Sequence, residues 1–160
     1  MQIICLNCRG PLKKTGQDYT CSCCGKVYST YGNAINFVDE YIDNGIIDVY
    51  ENINDKYNET SIGKYVNFMN LGYCENSNEN LIGKSAFQNS IINRNSISLI
   101  LKIFYQMNLE NLDVLDLGCG RCGAIYTIQR MYKSCRLYGI DICKNGLLGK
   151  ITNNELIICD

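Results

Sequence analysis

The 160-residue chain has no histidine, no tryptophan and one proline, and its charges nearly cancel: 15 Lys and Arg against 16 Asp and Glu, a net of −1. Each shortage excludes something. Without histidine, no zinc site can use an imidazole ligand, and the commonest general base is missing. Without a basic excess there is no footprint of a phosphate-backbone partner. Lys13, Lys14 and Lys26 make at most a small patch, so nucleic acid is not expected to bind. No stretch approaches the roughly 20 apolar residues of a membrane span, and Met1–Leu6 is too short for a signal peptide. A cytoplasmic chain without a membrane partner is expected. Cysteine, by contrast, is plentiful: 11 residues, an odd total, several of them scattered. That pattern argues for a reducing compartment rather than a disulfide framework.

Cys5-Leu6-Asn7-Cys8 and Cys21-Ser22-Cys23-Cys24 form two C-x-x-C pairs separated by twelve residues. This spacing can place four thiolates tetrahedrally around Zn²⁺. Gly10 and Gly25, just past the pairs, allow the backbone to fold back over the sulfurs. The expected ligands are Cys5, Cys8, Cys21 and Cys24; Cys24 keeps the two-residue gap and is followed by Gly25, and Cys23 is the alternative. The stretch from Ile3 to Val38, CLNCRGPL…CSCCGKVYSTYGNAINFV, is similar to the short zinc-ribbon domains that activate RNA and protein methyltransferases as separate subunits. Such ribbons also occur fused ahead of methyltransferase domains. The N-terminal zinc module of the large-subunit rRNA guanine-N1 methyltransferases is a poorer comparison, because it uses a histidine.

The segment Val114–Gly123, VLDLGCGRCG, is the second informative feature. An apolar run ends in an acid; Gly118, Gly120 and Gly123 follow; the helix-like AIYTIQRMYK comes next; and a second apolar run, Leu137–Ile140, ends in Asp141. Strand, glycine loop, helix, strand and acid is the plan of a nucleotide-binding βαβ unit. Asp116 and Asp141 lie 25 positions apart, near the roughly 20-residue offset of a ribose-binding carboxylate. Asp116 argues against a dinucleotide, since a carboxylate beside the loop repels a pyrophosphate. It suits a ligand carrying an ammonium and a sulfonium, the description of S-adenosylmethionine.

VLDLGCG followed by YGIDI resembles the first two motifs of the class I S-adenosylmethionine-dependent methyltransferases, over roughly Leu112–Asp160. The resemblance implies that Asp116 helps hold the methionine amino group. It further implies that Gly118, Cys119 and Gly120 lie against the ligand, and that Asp141, with Ile142 beside it, binds the ribose hydroxyls. Asp160, ending Leu156-Ile157-Ile158-Cys159-Asp160, matches an acid that faces the adenine. Cys122 departs from the family's usual glycine. Upstream, Tyr65–Tyr73 is similar to a stretch in small-molecule methyltransferases where a Gly-Tyr-Trp element borders the ligand; Tyr73 would be that contact, with Cys74 replacing the Trp.

The organisation expected is a zinc ribbon over 1–38, a linker and lead-in over 39–83, and a cofactor-binding unit over 84–160. Residues 85–107 read as a helix with Ile92, Leu99, Ile103 and Met107 on one face. The fold class is α/β: an incomplete Rossmann-like methyltransferase sheet, its first three strands only, preceded by a small β-rich ribbon. Leu112–Leu117, Arg136–Ile140 and Glu155–Cys159 would be those strands, with none left for strands four to seven. The first would be an exposed edge, apolar on both faces, open to a second chain or to self-association. The functional expectation is an S-adenosylmethionine-dependent methyltransferase, or its cofactor-binding N-terminal half, with a structural Zn²⁺. The acceptor is unidentified, with a slight lean toward a small molecule, and no catalytic base is identifiable. The alternative is a non-catalytic zinc-ribbon adaptor, or a decayed methyltransferase acting through protein interaction.

Overall fold

The computed structural model describes residues 2–38, 45–83, 85–147 and 155–158. Along these, β1 (Leu12–Thr15), β2 (Asp18–Cys21), β3 (Val27–Tyr28), β4 (Thr30–Tyr31) and β5 (Ala34–Asn36) precede α1 (Gly45–Glu59) and α2 (Arg94–Ile103). Then come β6 (Asp113–Leu117), α3 (Gly123–Met131), β7 (Arg136–Asp141) and β8 (Glu155–Ile158). The architecture is mixed α/β with a small antiparallel, β-rich N-terminal region. β1 and β2 form a hairpin across Gly16-Gln17, and β3 adds to β2.

The second sheet runs β4-β5-β8-β7-β6. β5, β8, β7 and β6 are mutually parallel, and β4 turns back antiparallel on β5. The boundary expected at residue 38 therefore does not separate two sheets, because the last hairpin of the cysteine-rich region belongs to the sheet of the C-terminal half. β6 is an edge, as expected, and not the centre of the sheet.

Register divides this sheet into two faces. Leu115 lies opposite Tyr138 and Leu117 opposite Ile140; Ile140 then pairs with Ile157, and Ile157 with Ile35. Because side chains alternate along a strand, these residues share one face. Ile35, Ile140 and Ile157 pack there with Cys5, Cys21, Tyr28 and Phe37, so the cysteine-rich region covers this face. Its cover stops short of β6, where Leu115 and Leu117 are exposed. The opposite face, with Ala34, Val114 and Leu137, packs on Ile100 of α2 and on Ile125 and Ile128 of α3. Outside the helices, Ile82 and Phe87 close over Ile97 and Leu101. Among the described residues no helix is long and apolar enough to cross a membrane.

Two expectations about helices change. Residues 39–83 contain a fifteen-residue helix, α1, where a linker was expected. Its apolar stripe, Ile46, Val49, Tyr50 and Ile53, faces outward, while Ile47, Glu51 and Asn54 face the body. Polar anchors thus decide its orientation: Glu51 accepts from the Asn145 N–H at 3.1 Å, and Asn54 accepts from Arg121 at 3.0 Å. The helix expected over 85–107 is shorter, Arg94–Ile103, and buries Ile97, Ile100 and Leu101; Ile92, Ile103 and Met107 are exposed. Asn and Ser between 88 and 93 favour turns because their side chains compete for backbone groups. Asn93 shows this: it sits at φ 63° and bonds the Tyr65 carbonyl and the Asn67 N–H.

The orientation of α1 gives a test that inverts the hydrophobicity ranking. Asn54→Ala leaves the buried Arg121 short of an acceptor and is expected to cost about 1–3 kcal/mol. Ile53→Ala, on the exposed stripe, should change stability by about 0.5 kcal/mol or less. Denaturant unfolding of both variants would show it; a larger loss for Ile53→Ala would mean the helix is turned the other way.

Candidate metal centre and glycine-loop cleft

Two knuckles build the metal centre. In the first, the Cys5 N–H donates to the Gly10 carbonyl at 2.9 Å and the Arg9 N–H to the Cys5 carbonyl at 2.8 Å. In the second, the Cys21 N–H donates to the Lys26 carbonyl at 2.9 Å and the Gly25 N–H to the Cys21 carbonyl at 3.0 Å. Gly25 takes the left-handed conformation expected of it, with φ 75°, but in the first knuckle Arg9 does so, at φ 60°. Gly10 is required for space: a Cβ there would lie 2.6 Å from the Cys23 Sγ.

The Sγ atoms of Cys5, Cys8, Cys21 and Cys24 all lie within 4.8 Å of one another. Four sulfurs at about 2.3 Å from a tetrahedral Zn²⁺ are about 3.8 Å apart; Cys5 to Cys24 is 3.6 Å and Cys8 to Cys21 is 3.4 Å. These residues fit a closed four-thiolate site, with Cys24 and not Cys23 in the fourth place. The Cys21 Sγ also accepts from the N–H groups of Cys23 and Cys24 at 3.4 and 3.5 Å. Burial pushes the Cys5 thiol up, but hydrogen bonds from the Tyr28 hydroxyl and the Cys8 and Asn7 N–H groups outweigh it and bring it to about 6. The Gly10 N–H lowers the Cys8 thiol, yet crowding by the Cys21 and Cys24 thiols pushes it up to about 12. Four packed sulfurs do not all ionise unless a cation sits among them.

Sequence reasoning missed Tyr28. Its hydroxyl is 3.1 Å from the Cys5 Sγ and accepts from the Leu6 N–H at 3.0 Å. Its ring packs edge-on to Phe37 with centroids 4.8 Å apart, inside the cluster that covers the sheet. One side chain therefore touches both the metal centre and the sheet cover.

The glycine loop joins β6 to α3. The Gly118 and Cys119 N–H groups donate to the Ile140 carbonyl at 2.8 and 3.0 Å, tying the loop to the end of β7. Gly118 and Gly120 have φ of 71° and 50°. Cys122 has φ 61° as well, which explains why a glycine suits that position; a residue with a Cβ is strained there by about 1–2 kcal/mol. At Gly123 a Cβ would come within 2.6 Å of the Phe68 ring, so the start of α3 lies hard against the 67–70 segment.

A cleft of about 340 Å³ opens between this loop, Asp116 and the segment Asn67–Asn70. Gly118, Cys119 and Gly120 line it. Asp116 is half-buried and has no hydrogen-bond or ion-pair partner among the described residues. Burial, and then the nearby Asp141 charge, hold its carboxyl above the usual range. Asp141 is engaged within the chain: one oxygen accepts from the Gly120 N–H at 2.7 Å and the other from the Cys143 N–H at 2.8 Å. Ile142 is half-buried beside it, and neither lines this cleft. Tyr73 is also outside it: its hydroxyl donates to Glu79, which pairs with Lys102, and its N–H is spent on the Asn95 carbonyl at 2.7 Å. Phe68 and its neighbours, a few residues upstream, line the cleft. Asp160 lies outside the described residues.

Arg121 was also missed. It is 1% exposed, yet among the described residues its acceptors are neutral: Val66 and Gly63 carbonyls at 2.7 and 2.9 Å, and Asn54 and Asn58 side chains at 3.0 and 3.1 Å. Its guanidinium also lies 5.4 Å from the Tyr57 ring centroid. Desolvation lowers its pKa. The only hint in the sequence is an arginine within an otherwise small-residue loop; nothing there points to partners more than fifty residues away.

No protein-family model matches the chain, and no curated protein sequence matches it.

One equivalent of Zn²⁺ is expected per chain by elemental analysis after purification without chelator. Structural zinc binding is worth roughly 10–16 kcal/mol in zinc-finger peptides, so chelation should unfold this region. Cys24→Ser should lower metal content sharply and Cys23→Ser should not; the reverse order would reassign the fourth ligand.

Proposed function

We propose that this chain is an S-adenosylmethionine-dependent methyltransferase with a structural zinc ribbon, or the cofactor-binding part of such an enzyme. The observation that carries the reading is Asp116: a half-buried carboxylate, partnerless among the described residues, on the wall of a cleft at the start of α3. A helix N-terminus with an anionic side chain beside it repels a phosphate and suits a cationic group next to polar hydroxyls. About 340 Å³ is within the range of small-ligand sites. In this reading β6, α3, β7 and β8 are the opening half of a Rossmann-like methyltransferase sheet.

When bound, S-adenosylmethionine supplies an electrophilic methyl on sulfur. The chain's own work is to hold and align. Asp116 takes the ammonium, and Gly118, Cys119 and Gly120 give the ligand close backbone contact. Each Asp141 oxygen accepts one N–H and keeps a second lone pair, so Asp141 would accept from the ribose hydroxyls without releasing Gly120 or Cys143. Alignment of a reactive donor with an acceptor supplies several kcal/mol without a base, and no residue is assigned as one. Cys5, Cys8, Cys21 and Cys24 would fill the coordination of a bound Zn²⁺ and leave it a structural role.

One observation favours a second reading, a non-catalytic adaptor: Asp141 is bonded to the Gly120 and Cys143 N–H groups and does not line the cleft.

Calorimetry with S-adenosylmethionine on the zinc-loaded chain separates the two. Under the first reading the chain binds, and Asp116→Asn weakens binding by about tenfold to a hundredfold. The raised carboxyl of Asp116 gains its proton at a higher pH than a free aspartate, and a cationic ligand needs it ionised. Affinity should therefore fall as pH drops through that raised value in the wild type and stay flat in Asp116→Asn, with zinc content measured alongside. No binding by the zinc-loaded chain would leave the adaptor reading.

A further inference from the structure

The chain holds a third C-x-x-C, Cys119-Gly120-Arg121-Cys122, inside the glycine loop. The Cys122 N–H donates to the Cys119 carbonyl at 2.8 Å. That bond closes a four-residue turn, whose first and last Cα atoms lie within about 7 Å, a span that overlaps the range a disulfide bridges. The two thiols share a hydrogen bond, and both belong to the cluster under α3 with Ile125 and Leu147. Cys119 lines the cleft, whereas Cys122 is fully buried behind it. Cys122 also keeps φ 61° and ψ 27°, a conformation glycine adopts without strain. Neither thiol is needed by the metal centre, whose four sulfurs lie in the knuckles, and packing alone gives no reason for a cysteine at a strained position.

We propose that Cys119 and Cys122 are a dithiol site that undergoes reversible exchange with small disulfides, closing to an intraloop disulfide. Cys119, facing the cleft, loses its proton and attacks one sulfur of a small dialkyl disulfide. The S–S bond breaks and one small thiolate leaves, giving a mixed disulfide on Cys119. Cys122 then loses its proton and attacks the Cys119 sulfur, and the second small thiolate leaves. The two cysteines give up two electrons and two protons, and the small disulfide becomes two thiols. The hydrogen bond with Cys122, burial, and the charges of Asp141 and Asp116 all push the Cys119 thiol up. The pair thus rests as thiols until a disulfide enters the cleft, and exchange is slow.

The zinc-loaded full chain is equilibrated in buffers of 2-hydroxyethyl disulfide and 2-mercaptoethanol, acid-quenched, alkylated and mapped by mass spectrometry. The same mapping in urea gives the unfolded baseline. The peptide carrying Cys119 and Cys122 is expected to lose two hydrogens and escape alkylation, and to be restored by excess mercaptoethanol. The exchange constant in the folded chain should exceed the baseline by about tenfold or more. Cys122→Ser should trap one mercaptoethanol on Cys119. A folded constant equal to or below the unfolded one, or a link from Cys119 to Cys143 instead, overturns the proposal, and the wild-type comparison decides this without any variant. Because the readout is a covalent bond, it stands or falls separately from cofactor binding.

Discussion

The rest of the structure depends on how one face of the five-stranded sheet is kept from water. A parallel sheet is buried on both faces, and here helices cover only one of them. The other is covered by Cys5, Cys21, Tyr28 and Phe37 of the cysteine-rich region, packed on Ile35, Ile140 and Ile157. That cover is too small to fold by its own apolar burial, as is usual below about forty residues without a metal or disulfide. Four thiolates gathered on one ion would supply its order. Tyr28 carries that order inward, with its hydroxyl on Cys5 and its ring in the cluster. β5 extends it by pairing with β8.

A second constraint holds the other end of the strands. The glycine loop is tied to β7 through the Ile140 carbonyl and the Asp141 carboxylate. It is tied to α1 and the 63–66 turn through Arg121. A buried cation bonded to neutral acceptors is stable only while those acceptors stay in place, because losing one leaves charge desolvated and unpaired. Thus α1, although its apolar stripe faces outward, is locked to the loop that forms the cleft. The cover on one face and the clamped loop at its end both act on the same strand, β7.

Local signals survived the passage from sequence to structure, and long-range ones did not. The two C-x-x-C pairs meet as expected, and β6, the loop, α3 and β7 follow in the expected order, because spacing and apolar runs encode short-range geometry. The choice of Cys24 over Cys23 was also legible from the two-residue gap. The pairing of β5 with β8 was not, since it joins segments about 120 residues apart and neither strand carries a mark of its partner. The orientation of α1 was concealed because polar bonds to Arg121 and Asn145 override its hydrophobic period. Tyr73 shows a further limit: nothing in its short aromatic stretch marks the contacts of its hydroxyl with Glu79 and of its ring with Lys102.

The central claim is that metal, cover and sheet form one cooperative unit. Hydrogen exchange on the zinc-loaded and chelated chain tests it most directly. The account predicts that chelation removes protection from the cysteine-rich region and also from residues 34–36, 136–141 and 155–158, which lie beneath it. Loss confined to residues 2–28, with protection across 136–141 and 155–158 unchanged, would contradict it and show that the sheet holds without its cover.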